Sequence, residues 1–299
     1  MNRSASSKTL GYILALFTVL VWGTTFISTK KLLTVFTPLQ VMLTRIVLGQ
    51  LFLWLLRPRR LHLALKEEVW FLLMGLFSCS LYFLAENFAL LHTQASNVSI
   101  LITTAPIFTA VLAHFTTEEK LRPGTQIGFF VAFCGVVLVV FNGAFVLKLS
   151  PLGDLLSIVA ALMWAIYSVI AKRFAGKYDS LLLTRRILFW GMVTALPFAV
   201  LEHKSYPFAA LTEPVILLNC LFLGLLGSAL CYVFWNEAFR RLGVVVTNSF
   251  IYTTPFITIV AAAVFLDEPI YPAAVIGAIL ITAGVVAASH PPRKKTAKS

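Results

Sequence analysis

The chain has 299 residues, of which 59% are hydrophobic and 12% charged, with a formal net charge of +12. Mean hydropathy is +0.90. A water-soluble globule of this size could not hide so much apolar surface, which excludes an ordinary soluble enzyme, a disordered chain and a coiled coil.

Ten apolar runs follow in chain order, at 10–29, 38–56, 69–91, 95–116, 123–142, 151–171, 180–201, 214–239, 243–266 and 272–289. Runs of this length are expected to be helices in lipid, where only a helix satisfies its own backbone. A membrane β-barrel would need alternating segments of about ten residues, and none is present. The first run lacks a small-residue cleavage site and is too long for a signal peptide, so it is expected to stay as a span. Pro38, Pro123, Pro151, Pro214, Gly243 and Pro272 punctuate the run ends. The fold class expected is an all-α membrane protein with ten transmembrane helices.

With the N-terminus placed inside, seventeen of the 24 Lys and Arg fall on inside segments. Only Lys30, Lys31, Lys148 and Lys204 fall outside, and Arg45, Arg185 and Arg186 lie within spans. The positive-inside rule then puts both termini in the cytoplasm, and explains the net charge without any nucleic acid. Cys79, Cys134, Cys220 and Cys231 all lie in apolar runs without metal spacing, and read as small apolar fillers. No metal or cofactor is expected.

The sequence repeats itself. Adding 149 takes Asn87 to Asn236, Thr104 to Thr253, Pro106 to Pro255, Glu119 to Glu268, Gly128 to Gly277 and Gly135 to Gly284. A slightly shorter offset takes Trp22 to Trp164, Lys30 to Lys172 and Leu43-Thr44-Arg45 to Leu183-Thr184-Arg185. Residues 10–142 and 151–289 are therefore expected to be two five-helix repeats, followed by a basic cytoplasmic tail over 290–299. Five spans is an odd number, so the second copy enters the membrane from the opposite side. Inverted repeats of this kind suit alternating access.

Trp22-Gly23, Phe26, Lys30 and Arg45, then Glu86-Asn87-Phe88-Ala89-Leu90, Thr93, Ala95-Ser96-Asn97, Pro106, Glu119, Gly128 and Gly135 form one set. Tyr232, Trp235-Asn236, Leu242-Gly243, Asn248, Tyr252, Pro255, Leu266-Asp267-Glu268, Gly277 and Gly284 form a second. Both resemble the EamA-type module of the drug/metabolite transporter superfamily, over nearly the whole chain. The family pattern has Gly before the module-end Glu, where this chain has Glu118 and Asp267. The resemblance implies a bacterial inner-membrane carrier that exports amino acids or related small metabolites. It also implies a central cavity lined by spans 1, 3, 4, 6, 8 and 9, with spans 5 and 10 as scaffold.

Pro106 and Pro255 each free a carbonyl four residues earlier, at Ile102 and Ile251, which is tolerable where water, solute or a Thr hydroxyl can reach. They are expected on a kinked cavity wall, with Ser99 and Thr103 nearby. Arg45 lies about 10 Å below the outer start of span 2, and Glu86 about 8 Å below the outer end of span 3. Each could snorkel, the two could form a structural salt bridge, or they could bind a carboxylate and an amine or proton. Arg185 and Glu237 are their inverted analogues near the inner side. Asn87, Asn97, Asn236 and Asn248 bring amides into spans, where they either tie helices or recognise a zwitterion. Trp22, Trp164, Tyr82, Tyr167, Tyr232, Trp235 and Tyr252 could wall a cavity, and Trp22 with Trp164 are the better candidates because they lie deeper. Gly128 and Gly135, like Gly277 and Gly284, share a helix face suited to packing within one chain or across a homodimer. His114 reads as interfacial, Glu118 and Glu119 as span termination, and Arg293-Lys294-Lys295 as a lipid-surface anchor.

The sequence carries no P-loop, H-E-x-x-H or G-x-S-x-G pattern, so an ATPase, metalloprotease or serine hydrolase lacks its core. A small-molecule solute and membrane lipid are the expected partners. A lipid-acting membrane enzyme and a non-transporting sensor or scaffold are the alternatives. The first would need an interfacial cluster of acids or histidines, and the second a packed centre.

Overall fold

The computed structural model describes residues 3–59, 64–116, 123–140 and 150–289. These are helical throughout, with no strand among the described residues. In chain order α1 covers Arg3–Leu32, α2 Pro38–Leu56 and α3 Leu65–His92. Helix α4 is broken into Ala95–Ile102 and Ala105–Thr116, and α5 covers Pro123–Val140. Then α6 covers Pro151–Lys172, α7 Ser180–Glu202 and α8 Pro214–Leu242. Helix α9 consists of Val244–Ser249, a 3-10 turn at Phe250–Thr253, and Thr254–Leu266; α10 covers Pro272–Ser289.

Eight of these, α1 to α4 and α6 to α9, are long and apolar enough to cross a membrane. Their outward faces carry Ile13, Leu55, Val200 and Phe265, each more than half exposed. Apolar surface on that scale suits lipid and not water.

The ends form where the sequence supplies caps. Thr37 accepts from the Gln40 backbone while the Gln40 side chain accepts from the Thr37 backbone, a complete capping box ahead of Pro38. Ser150 caps α6 ahead of Pro151, and Asp179 caps α7 through Leu181 and Leu182. Gly243 links α8 to α9 at φ 84°, a conformation that favours glycine. Asp267 closes α9 at φ 53°. The family's Gly at this position now has a reason. The chain must turn through the left-handed region here, and Asp is among the few side chains that tolerate it.

Helices α3 and α8 each contain a π-helical stretch, Leu76–Leu81 and Phe222–Leu230. In α4 the ladder tightens at Thr103 and Thr104, whose hydroxyls donate to the Ile100 and Leu101 carbonyls at 2.5 and 2.7 Å. The expected kink at Pro106 is thus a full break two residues earlier. In α9 the break is the 3-10 turn before Pro255.

Helix α1 packs on α8 and α9, and α6 packs on α3 and α4. Helix α2 packs on α7 and on the π stretch of α8, while α7 packs on the π stretch of α3. Helices α5 and α10 pair along their lengths. A Cβ on Gly284 would come within 2.5 Å of the Ala132 nitrogen and the Gly128 carbonyl. One on Gly135 would meet the Gly277 carbonyl at 2.8 Å. The glycine face therefore joins two helices of one chain and is not left open to a second copy.

The side chains of His114, Glu118, Glu119, Arg293, Lys294 and Lys295 lie outside the described residues, as does the tail over 290–299.

Candidate functional site

Where the helices of the two halves meet, they form a small, partly open cavity of about 40 Å³. Helix α1 supplies Trp22, Thr25 and Phe26, α2 supplies Arg45, and α3 supplies Tyr82, Phe83 and Glu86. Ile102 of α4, Trp164 of α6, Tyr232 of α8, and Ile251 and Thr254 of α9 complete the wall. Ile102 and Ile251 are the two residues whose carbonyls the prolines release. The wall thus includes an α2 residue, beyond the six spans that the family resemblance implied.

Six of the wall residues are aromatic, and three of these pack around a fourth, Trp164. Trp22 and Trp164 meet edge to face at 5.2 Å, and Tyr232 meets each of them at 5.8 Å. Tyr82 lies 5.4 Å from Trp164. Such edge-to-face sets hold rings rigidly and present both faces and edges to a solute.

Each π stretch orients cavity residues from the opposite half. In α8, the Gly227 carbonyl accepts the Trp22 indole N–H at 2.9 Å, and the Ser228 hydroxyl accepts from Arg45 Nε at 2.8 Å. In α3, the Ser78 carbonyl accepts the Tyr232 hydroxyl at 2.8 Å. A π turn shifts the helical ladder by one residue and leaves carbonyls and side chains free for such bonds.

Arg45 is 2% exposed. Its guanidinium carbon lies 3.8 Å from the centre of the Phe83 ring, and its Nη1 has no hydrogen-bond partner. The indole N–H of Trp164 is likewise buried without one. Glu86 shares this wall, and among the described residues it forms no direct ion pair with Arg45. Arg45 and the Glu86 carboxyl group therefore share one low-dielectric pocket without a direct ion pair, and Arg45 keeps a donor that a ligand could take up.

The structure thus brings Trp22, Phe26, Arg45, Glu86, Trp164 and Tyr232 together. Other residues named from the sequence lie off this wall. Asn87 donates to the Pro38 carbonyl at 2.8 Å, tying α3 to the start of α2. Asn236 donates to the Thr184 hydroxyl and the Tyr232 carbonyl, and accepts from the Tyr167 hydroxyl at 3.1 Å. These amides and Tyr167 join helices. Ser99 donates to the Ser96 carbonyl within its own helix. Thr103 caps the α4 break, and Pro106 starts the segment beyond it. Trp235 packs at 4.8 Å behind Trp22. Asn97, Asn248, Tyr252 and Pro255 are buried elsewhere in α4 and α9.

Arg185 and Glu237 do not reproduce the Arg45 and Glu86 arrangement. Arg185 donates to the carbonyls of Arg57 and Arg59. Glu237 accepts from Ser180 at 2.8 Å, from Arg241 at 2.6 Å and from Arg240. Both are fully engaged in tying α2, α7 and α8 at one end of the bundle.

Sequence reasoning missed Glu268. Its carboxylate accepts from Lys30 Nζ at 2.8 Å, from the Ala95 and Ser96 backbone N–H groups at 2.9 and 3.2 Å, and from the Ser96 hydroxyl at 2.9 Å. One side chain from the end of α9 thus clamps the end of α1 to the first turn of α4. Burial alone would raise its pKa. The Lys30 ammonium and the two backbone donors outweigh burial and hold it below the ordinary value of 4.5. Lys30 also donates to the Thr93 carbonyl at 3.2 Å. The signal was present in the sequence, because Lys30 and Glu268 both match across the repeat.

Fold and site together describe a helical membrane protein with a polar and aromatic cavity at its centre. The profile of the EamA-like transporter family matches the chain twice, at residues 9–141 and 151–289, so the chain belongs to that family. An uncharacterized transporter of Archaeoglobus fulgidus is 31% identical over 286 residues, covering 94% of this chain and 96% of that one. A protein of Streptantibioticus cattleyicolor described as a probable terminal-alkyne amino-acid exporter is 30% identical over 215 residues, covering 72% and 70%. A solved crystal structure shares the fold with a TM-score of 0.66 at 20% identity, covering 95% of this chain and 97% of that one. The family and its named relatives are transporters and not enzymes.

Proposed function

We propose that this chain is a secondary transporter of the bacterial inner membrane that exports amino acids or related small metabolites. In this reading ten helices span the bilayer, α5 and α10 included, and both termini are cytoplasmic, as the distribution of Lys and Arg favours. Residues 10–142 and 151–289 are two inverted repeats, and the cavity between them is opened alternately to either side.

The contact pattern supports the repeat. Exchanging α1 to α5 with α6 to α10 converts the α1–α8 contact into α6–α3, α1–α9 into α6–α4, and α2–α8 into α7–α3. The π stretches and the breaks before Pro106 and Pro255 exchange as well. The Lys30–Glu268 clamp supports closure at the outer end, since it joins α1, α4 and α9, which all line the cavity.

The observation that carries the solute class is the cavity itself. A zwitterion can bridge Arg45 and Glu86 while its side chain contacts Trp22, Phe26, Trp164 and Tyr232. The relative described as an amino-acid exporter agrees with that chemistry. Purified protein in liposomes, loaded with a panel of amino acids and organic cations, tests the reading. Flux of amino acids above protein-free liposomes is expected, with and without a proton gradient. Flux for no member of the panel would count against it.

A further inference from the structure

We infer that Ser228 is a positioning residue that makes Arg45 a receptor for the carboxylate of the solute, so that the cavity selects by carboxylate. This rests on the transporter reading and narrows it.

A free arginine side chain samples many rotamers, and one buried without partners is costly. Here two contacts fix it. The Ser228 hydroxyl holds Nε at 2.8 Å, and the Phe83 ring lies 3.8 Å from the guanidinium carbon. Together they set the position and the plane of the fork, and leave Nη1 as a buried donor with an unmade bond. A carboxylate offers a guanidinium edge two charged oxygens, whereas an amide offers one neutral acceptor and an amine cation offers none. Trp164 adds a second unpaired donor on the same wall.

The backbone next to Ser228 is constrained by the same cavity. Gly227 gives its carbonyl to Trp22, and a Cβ there would meet Thr25 Cγ2 at 3.0 Å and Arg45 Nη2 at 3.7 Å. The π stretch thus aligns one cationic and one aromatic wall residue through two consecutive positions. The counterpart arginine has no such arrangement, because Arg185 donates to main-chain carbonyls instead.

Binding to purified full-length protein, followed by quenching of tryptophan fluorescence, tests this with three probes: L-phenylalanine, L-phenylalaninamide and hydrocinnamate. Both carboxylates are expected to bind about tenfold or more tighter than the amide, the effect of one charge-assisted hydrogen bond. Ser228→Ala is expected to weaken both carboxylates about tenfold and leave the amide within about twofold. Ser228→Thr, which keeps the hydroxyl, is expected to restore the preference. Should Ser228→Ala not yield folded protein, Ser228→Cys, whose thiol is a poorer acceptor, is expected to lose the preference.

Equal weakening of acids and amide in Ser228→Ala, or no preference in the unaltered protein, would overturn the assignment. Flux of panel cations with no binding of either carboxylate would overturn it too, and leave the transporter reading standing. Selective carboxylate binding without flux of any solute would do the reverse.

Discussion

Arg45 and Arg185 occupy matching positions in the two repeats, within Leu-Thr-Arg triplets. Their surroundings differ completely. Arg45 sits on the cavity wall with one nitrogen tied to Ser228 and another unpaired. Arg185 donates to two loop carbonyls, between the end of α2 and the start of α3. The acids near them differ in the same way, for Glu86 is on the wall and Glu237 is held by Ser180, Arg240 and Arg241. Duplication supplied both halves with similar polar residues. In the first half Arg45 lines the cavity with an unpaired donor, and in the second Arg185 ties helices. On the proposed function, the solute site lies in what the two copies do not share.

The largest expected effect breaks this comparison directly. Arg45→Gln should lower flux of a carboxylate solute about a hundredfold, near 2.7 kcal/mol of lost binding in the transport step, with folded yield unchanged. Arg185→Gln should do the opposite, lowering thermal stability in detergent while flux per folded molecule stays within about twofold. Equal flux losses in the two variants would erase the distinction.

Next in size is the Glu268 clamp. Glu268→Ala leaves Lys30, two backbone N–H groups and the Ser96 hydroxyl without their acceptor. Lys30 is 30% exposed, so water recovers part of the loss, and about 2–3 kcal/mol of stability should go. A lowered melting temperature by fluorescence would show it. Unchanged melting would mean that the clamp contributes nothing.

A smaller effect is expected at the scaffold pair. Gly284→Val should cost about 1–3 kcal/mol, since its Cβ would strike the α5 backbone. Solute preference should not move, because α5 and α10 supply no wall residue. A changed preference would place the scaffold in the site.

The smallest effect concerns pH. The carboxyl of Glu268 is held below its ordinary value of 4.5, so its stabilising contribution is complete above that value. It is lost only as pH falls through the depressed value. Melting temperatures of unaltered protein and Glu268→Ala should therefore keep a constant separation between about pH 7 and pH 5.5. A separation that shrinks over that range would contradict the clamp's geometry.

Much of this was legible in the sequence. Hydropathy alone marked ten apolar runs, and eight of them are helices long and apolar enough to cross a membrane among the described residues. The deep aromatic residues Trp22 and Trp164 and the pair Arg45 and Glu86 stood out because bulky and charged side chains at that depth need a reason. The asparagines were harder. An amide inside a span must find a partner, but nothing local says whether that partner is a solute or, as for Asn87, the Pro38 carbonyl of another helix. The π stretches were invisible, since Leu76–Leu81 and Phe222–Leu230 read as ordinary apolar helix. Without them the link from Ser228 to Arg45 could not be drawn. Glu268 stood in plain sight as a repeat-matched acid, but its contacts reach residues more than 170 positions away.

The most direct test of a solute-binding cavity is thiol accessibility. In a background with the four native cysteines replaced, single cysteines at Thr25 and Thr254 should react with a membrane-impermeant maleimide, and amino-acid solute should protect both. If both positions resist the reagent from either side of the membrane under turnover conditions, the cavity is a packing gap and not a solute path.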